Sequence, residues 1–181
     1  MHAFAGFIKH GDVVLFYLFN RKLRCQALNS IMRMLTQLGS TLFSIFISAL
    51  ILIPTSQNFR ITGIHLAGTL LGSQCIVQSV KRLVDRPRPY KTLENAIAMK
   101  PPACQYSFPS GHTCAAFSIA FVLSLSIPAL QLPFIALATL VGISRIYLGF
   151  HYPTDVVAGI VIAYVSYLSI ASFLLPYFIQ V

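Results

Sequence analysis

Side chains suited to chemistry on an anion are concentrated in three short stretches of the chain. The first is Lys81-Arg82-Leu83-Val84-Asp85-Arg86-Pro87-Arg88-Pro89, where a helix exit is stopped by prolines and left crowded with cations. A positive flank of a membrane span would account for Arg82 and Arg86; Lys81 and Arg88 take their meaning from the other two stretches. The second is Ser107-Phe108-Pro109-Ser110-Gly111-His112-Thr113. Ser or Gly just before a helix leaves backbone N–H groups pointing outward, and with the helix dipole these can hold an anion. Helix capping alone would also explain Ser110 and Gly111, but an ionisable His112 at the end of an apolar helix has few structural uses. The third runs from Ser144 and Arg145 to His151 and Asp155. Arg145 ends an otherwise uncharged run, so it is expected to face the bundle interior and a counter-anion. Pro153 opens the next helix and brings Asp155 close after His151. A carboxylate beside an imidazole fixes its tautomer and stabilises its cation, as a histidine nucleophile or base requires; taken alone, a His–Asp capping pair explains it too.

The elements that must position these residues are apolar helices. Of 181 residues, 56 % are hydrophobic and 9 % charged, far from the balance of a soluble domain. Thirteen Lys and Arg against four carboxylates give a formal charge of +9, which points to anionic partners; the apolar excess argues for phosphates and lipid headgroups and against nucleic acid. A crossing helix needs about 20 predominantly apolar residues. Residues 34–59 carry no charge up to the end of that run, with an apolar heart at 42–53, and residues 61–80 form a second such run. Residues 101–144 contain no Lys, Arg, Asp or Glu and are long enough for two helices, with Pro128 and Pro133 marking the turn between them. Residues 156–177 supply the last.

The expected architecture is therefore all-α: a polytopic transmembrane bundle of about five spans in one domain, 1–181. Its N-terminal segment, 1–33, holds a helix at 4–19 that Lys9, His10 and Asp12 interrupt and a basic cluster follows, so it is expected to lie in the membrane interface. Arg21, Lys22 and Arg24 stand where a signal-peptide cleavage site would need small residues. Five crossings put all three stretches on one face, together with every basic residue except Arg60. Cys25, Cys75, Cys104 and Cys114 show neither CxxC spacing nor paired histidines and read as plain thiols; a Cys25–Cys104 disulfide would need an oxidising compartment.

Taken together, K-x6-R-P (Lys81, Arg88, Pro89), P-S-G-H (Pro109 to His112) and S-R-x5-H-x3-D (Ser144, Arg145, His151, Asp155) resemble the signature of the type 2 phosphatidic acid phosphatase (PAP2) superfamily. All positions of the signature are filled, and the resemblance covers residues 81–155. Members usually have six spans, so the segment at 4–19 departs from the pattern. The resemblance implies a metal-independent lipid phosphatase with no cofactor. In it Lys81, Arg88 and Arg145 clamp the phosphate oxygens, Ser110 and the Gly111 N–H complete the cradle, His151 attacks phosphorus with Asp155 orienting it, and His112 serves as acid and then base. Phosphatidylglycerophosphate, phosphatidate and polyprenyl diphosphates all suit such a site, and the connection at 90–106 is expected to shape the choice. A lipid phosphotransferase is the alternative enzyme. An anion transporter fits less well, because its site would lie nearer the bilayer centre. The expected location is the cell membrane; the charge distribution favours a cytoplasmic active face, whereas membrane-bound members commonly face outward. Oligomeric state is left open.

Overall fold

The computed structural model describes residues 2–53, 56–99 and 104–179, and every regular element among them is a helix. Residues 54–55, part of the first expected apolar run, and 100–103, part of the 90–106 connection, lie outside the described residues. Helix α1 (His2–Tyr17) continues into a π turn, Leu18–Lys22, and α2 (Gln26–Leu35) into a 3₁₀ turn, Thr36–Gly39. Then come α3 (Thr41–Leu52), α4 (Gln57–Val84), the single turn α5 (Pro89–Thr92), α6 (Gly111–Ser126), α7 (Gln131–Tyr147) and α8 (Pro153–Ile179).

Local chemistry sets most of these boundaries. The Ser40 hydroxyl accepts from the Phe43 N–H and starts α3, and the Ser110 hydroxyl accepts from the Thr113 N–H and starts α6. Pro153 stands in the first turn of α8, where a missing N–H costs nothing. Asp85 closes α4 in the left-handed region, φ 46°, two residues ahead of Pro87.

The bundle is organised around α6. Nine of its sixteen residues are buried, among them Ala115, Ala116, Ser118 and Ala120, whose small side chains let α4, α7 and α8 approach closely. Large apolar side chains point outward instead: Leu42 and Leu132 are each 82 % exposed, and Ile53, Leu71 and Phe173 are nearly as open. An exterior this apolar belongs in lipid.

Helices stand where the five crossings are expected, with unequal claims to span. The segments Pro128–Tyr147 and Pro153–Leu174 are long and apolar enough by themselves. The pair Gln26–Gly39 and Thr41–Leu52 adds a third if its 53° bend at Ser40 falls inside one span. Helix α6 is short, at 16 residues, and α4 is long but carries polar residues such as Thr62, His65 and Thr69 on its buried face.

The N-terminal helix packs into the bundle. Its face bearing Asp12 and Phe16 is buried, Phe16 packs with Ile146 and Val156, and Asn20 just beyond is sealed inside. Cys25 and Cys104 are free thiols.

Gly39 closes the bend beneath the start of α6. A β-carbon there would collide with the His112 carbonyl oxygen and come within 3.0 Å of a Val141 methyl. Because the obstacle is backbone, Gly39→Ala is expected to lower stability by about 1–3 kcal/mol. Its unfolding midpoint in detergent should fall, and an unchanged midpoint would mean that α3 and α6 are not tightly docked.

Candidate active site

Three backbone devices aim the polar residues at one place. Helix α7 ends in a Schellman motif: the Phe150 N–H donates to the Arg145 carbonyl at 3.1 Å and the Gly149 N–H to the Ile146 carbonyl at 3.0 Å. Gly149 takes φ +84°, which turns the chain back and delivers His151 beneath Arg145. The end of α4 leads into an extended stretch in which Pro87 bridges Tyr106, with the Ser107 N–H on the Arg86 carbonyl at 2.8 Å, so Lys81 and Arg88 face the 104–107 segment. The Ser110 N–H donates to the Asp155 carbonyl at 2.9 Å, locking the start of α6 to the start of α8.

The result is one cavity of about 640 Å³, lined at its closed end by Lys81, Arg88, Gly111, His112, Arg145 and His151. From there it continues between α3 and α4 past Ser44, Ser48, Gln74 and Gln78 to Leu52 and Leu71. Residues as far apart in sequence as Gly39 and His151 thus share one pocket. Ser110 and Asp155 stand behind its wall. The Ser110 hydroxyl is fully buried and engaged with the Thr113 hydroxyl at 2.8 Å, so its visible work is to cap α6.

Lys81, Arg88 and Arg145 are all buried, and among the described residues none of them forms an ion pair. Neutral dipoles hold them. Arg88 donates to the Cys104 and Phe150 carbonyls at 2.8 and 2.9 Å, Lys81 to the Tyr106 carbonyl at 3.3 Å, and Arg145 to the Thr36 hydroxyl at 2.6 Å while lying over the Phe150 ring. Where a counter-anion was expected beside Arg145, the structure places a neutral hydroxyl. Its Nε has no partner.

His151 Nε2 faces this cluster, 3.4 Å from Arg88 Nη1. Its Nδ1 is 3.5 Å from Asp155 Oδ2, longer than a hydrogen bond, and is otherwise unpartnered. Burial, and then the nearby Arg145, Arg88 and Lys81 cations, hold the imidazole well below its ordinary range. Asp155 also caps α8, accepting the Tyr152 N–H at 2.8 Å, so the capping pair and the His–Asp pair are the same carboxylate.

Several residues of this neighbourhood escaped the sequence reading. Arg86, plausible as a mere flank, bridges Asp155 Oδ1 and Asp12 Oδ2 at 2.7 Å each. Thr36 holds Arg145, and Asn20 ties the π turn to the Ile97 backbone and the Tyr147 carbonyl. One signal was available for Asp12: it is one of only four carboxylates in the chain and interrupts an apolar helix.

Buried cations and two histidines in one cavity of an apolar bundle suit an enzyme that handles phosphoryl groups at a membrane. Comparison with known proteins gives the family. A model of the PAP2 superfamily matches residues 62–177. The chain is 31 % identical over 161 residues to an undecaprenyl-diphosphatase of Sulfolobus acidocaldarius, covering 88 % of this chain and 77 % of that one. It is 30 % identical over 158 residues to a lipid A 1-phosphatase of Rhizobium etli, covering 76 % and 67 %. Its fold is similar to the crystal structure of Aquifex aeolicus LpxE, with a TM-score of 0.78 and 27 % identity over 88 % of this chain and 94 % of that one. The fold alone is also shared with a PAP2-type phosphatidylglycerolphosphate phosphatase from Bacillus subtilis, at a TM-score of 0.72, 24 % identity, and 92 % and 85 % coverage. The chain belongs to the PAP2 superfamily, and it is an enzyme of that superfamily's membrane phosphatase branch.

The depressed basicity of His151 can be measured directly. An ordinary imidazole is mostly protonated below about pH 6.5. In the free enzyme the ¹⁵N shifts of His151, assigned by their loss in His151→Gln, should still be those of a neutral ring at about pH 5.5. A ring titrating at its ordinary value would mean that it is hydrated and the cations are screened from it.

Proposed function

We propose that the protein hydrolyses the phosphate of a membrane lipid through a phosphohistidine on His151. The observation that carries this reading is the trio of buried cations, without a carboxylate partner among the described residues, at the end of a groove that opens along apolar helices. Each buried charge costs several kcal/mol unless a counter-charge relieves it, and a phosphoryl group with two or more negative charges relieves all three together. Lys81, Arg88 and Arg145 bind its non-bridging oxygens, the first-turn N–H groups of Gly111 and His112 add the helix-terminus field, and Ser110 keeps that terminus in place.

Held this way, phosphorus meets His151 Nε2, which is neutral and therefore nucleophilic. The N–P bond forms as the bond to the leaving oxygen breaks, and His112 gives that oxygen a proton. As the imidazole becomes cationic, its Nδ1–H closes on Asp155, tightening a contact that is long in the free enzyme. His112 then takes a proton from water, whose oxygen displaces His151 and yields orthophosphate. The cations supply the charge stabilisation that dominates phosphoryl transfer, so no divalent ion is required.

The groove between α3 and α4 suits the tail of the lipid. Relatives named for undecaprenyl diphosphate and for lipid A 1-phosphate make a polyprenyl diphosphate the leading substrate and a sugar-linked lipid phosphate the second. Phosphatidate and phosphatidylglycerophosphate complete the set to be tested. In this reading 1–181 is one catalytic domain, with the motifs in 81–155 and the segment 1–33 packed beside them. Helices α3, α4, α6, α7 and α8 cross the bilayer, and α4, at 28 residues and 1.5 Å each, is about 42 Å long.

Purified enzyme in detergent, offered these four lipids, is expected to release orthophosphate without an added lipid acceptor, to keep its activity in EDTA and to be inhibited by vanadate. Release only when an acceptor is supplied would make it a phosphotransferase. His151→Ala and His112→Ala should each lose at least about 10³-fold in kcat while remaining folded. Substantial turnover in His151→Ala would remove the covalent mechanism.

Arg21, Lys22, Arg24, Arg33, Arg82 and Lys91 lie on the catalytic side of these crossings and favour a cytoplasmic site in the cell membrane. Cys104 is exposed at the cavity, which gives a direct test. In a Cys25→Ser, Cys75→Ser background, a membrane-impermeant maleimide should label Cys104 only after cells are opened. Labelling in intact cells would place the site outside.

A further inference from the structure

Asp12, on the N-terminal helix, belongs to none of the three motifs, yet it is 3 % exposed and fully engaged. Its Oδ1 accepts the Thr154 N–H at 2.9 Å, and its Oδ2 accepts the Thr154 hydroxyl at 2.6 Å and Arg86 Nη2 at 2.7 Å. The other arm of the guanidinium, Nη1, donates to Asp155 Oδ1 at 2.7 Å and to the Thr154 hydroxyl at 2.8 Å, while the guanidinium as a whole stacks on the Tyr152 ring at 4.0 Å. One cation is thus divided between two buried carboxylates.

An arginine facing a single carboxylate tends to take both its oxygens in a fork. Here Asp12 occupies one arm, so Asp155 gives Arg86 only Oδ1. Oδ2 is left for the Tyr152 N–H and for His151 Nδ1, 3.5 Å away. The charges follow the same division. Asp155 and Arg86 alone sum to zero and would offer a cationic imidazole little; with Asp12 the group carries one net negative charge beside the ring that becomes cationic.

We propose that Asp12 is a positioning residue for the reaction: by holding Arg86 it keeps Asp155 free, in geometry and in charge, to stabilise the phosphohistidine. The N-terminal helix is then a working part of the active site. This rests on the role given to His151 above. Failure of that role shows separately, as turnover in His151→Ala.

The test is Asp12→Asn, whose amide oxygen can still accept the Thr154 N–H and keep α8 capped, but which lacks the charge. With farnesyl diphosphate as the probe, kcat should fall about tenfold, as for other partners that orient a functional histidine. KM and the inhibition constant for inorganic phosphate should stay within twofold, because Lys81, Arg88 and Arg145 are untouched. In an Arg86→Met background the same substitution should cost less than twofold, since its effect passes through Arg86. A kcat within twofold of wild type, a phosphate inhibition constant rising in step with KM, or a full tenfold cost without Arg86 would each overturn the proposal. Should Asp12→Asn not fold, Thr154→Val takes its place by removing a hydroxyl that anchors Oδ2. A two- to threefold lower kcat with unchanged phosphate inhibition supports the proposal, and an unchanged kcat overturns it.

Discussion

Three positive side chains buried within one cavity, with no carboxylate among the described residues to pair with them, set the terms for the rest of the structure. Like charges repel, and in a low-dielectric setting the repulsion is large unless dipoles or counter-charges offset it. The protein uses dipoles: the carbonyls of Cys104, Tyr106 and Phe150 and the hydroxyl of Thr36 all point at the cluster. These neutral groups hold the cations in place without consuming their charge. Their charge therefore stays available inside the cavity.

That requirement explains why irregular backbone collects at this end of the bundle. Carbonyls inside a helix are committed to the helix, so acceptors for Arg88 and Lys81 must come from loops. The 104–107 segment and the turn after α7 supply them, while the 3₁₀ turn before α3 offers the Thr36 hydroxyl to Arg145. The carboxylates are kept on the far side of His151. Asp12 and Asp155 meet Arg86 there, and only Asp155 Oδ2 reaches toward the imidazole. One ring thus separates a positive compartment, which faces the cavity, from a negative one, which faces the protein.

The rest of the bundle keeps these compartments in register. Helix α6 has small residues on several sides, which brings α4, α7 and α8 together around it. The Ser110 N–H on the Asp155 carbonyl joins the starts of two of those helices directly. Outward-facing Leu42, Leu71, Leu132 and Phe173 contribute little to that core and give the molecule its apolar exterior.

The local features were legible in the sequence because they are local. Uncharged runs, Ser40 and Ser110 as helix starts, Pro153 as the opening of α8 and the spacing from Arg145 to His151 each depend on neighbours a few residues away, where periodicity and capping chemistry act directly. The three motifs marked the residues of the cavity for the same reason. Tertiary structure alone decided what those residues rest on. Thr36 beneath Arg145, Asn20 against residue 97, and Asp12 beside Arg86 are contacts across 70 or more positions, and nothing in a threonine or a single aspartate announces a partner at that distance. Ser110 shows the converse: its type suited either an anion or a helix start, and only the folded chain shows its hydroxyl buried against that of Thr113. The sequence determined which groups could perform the chemistry; the packing of α1, α6 and α8 decided which of them touch, because burial and orientation depend on the whole chain at once.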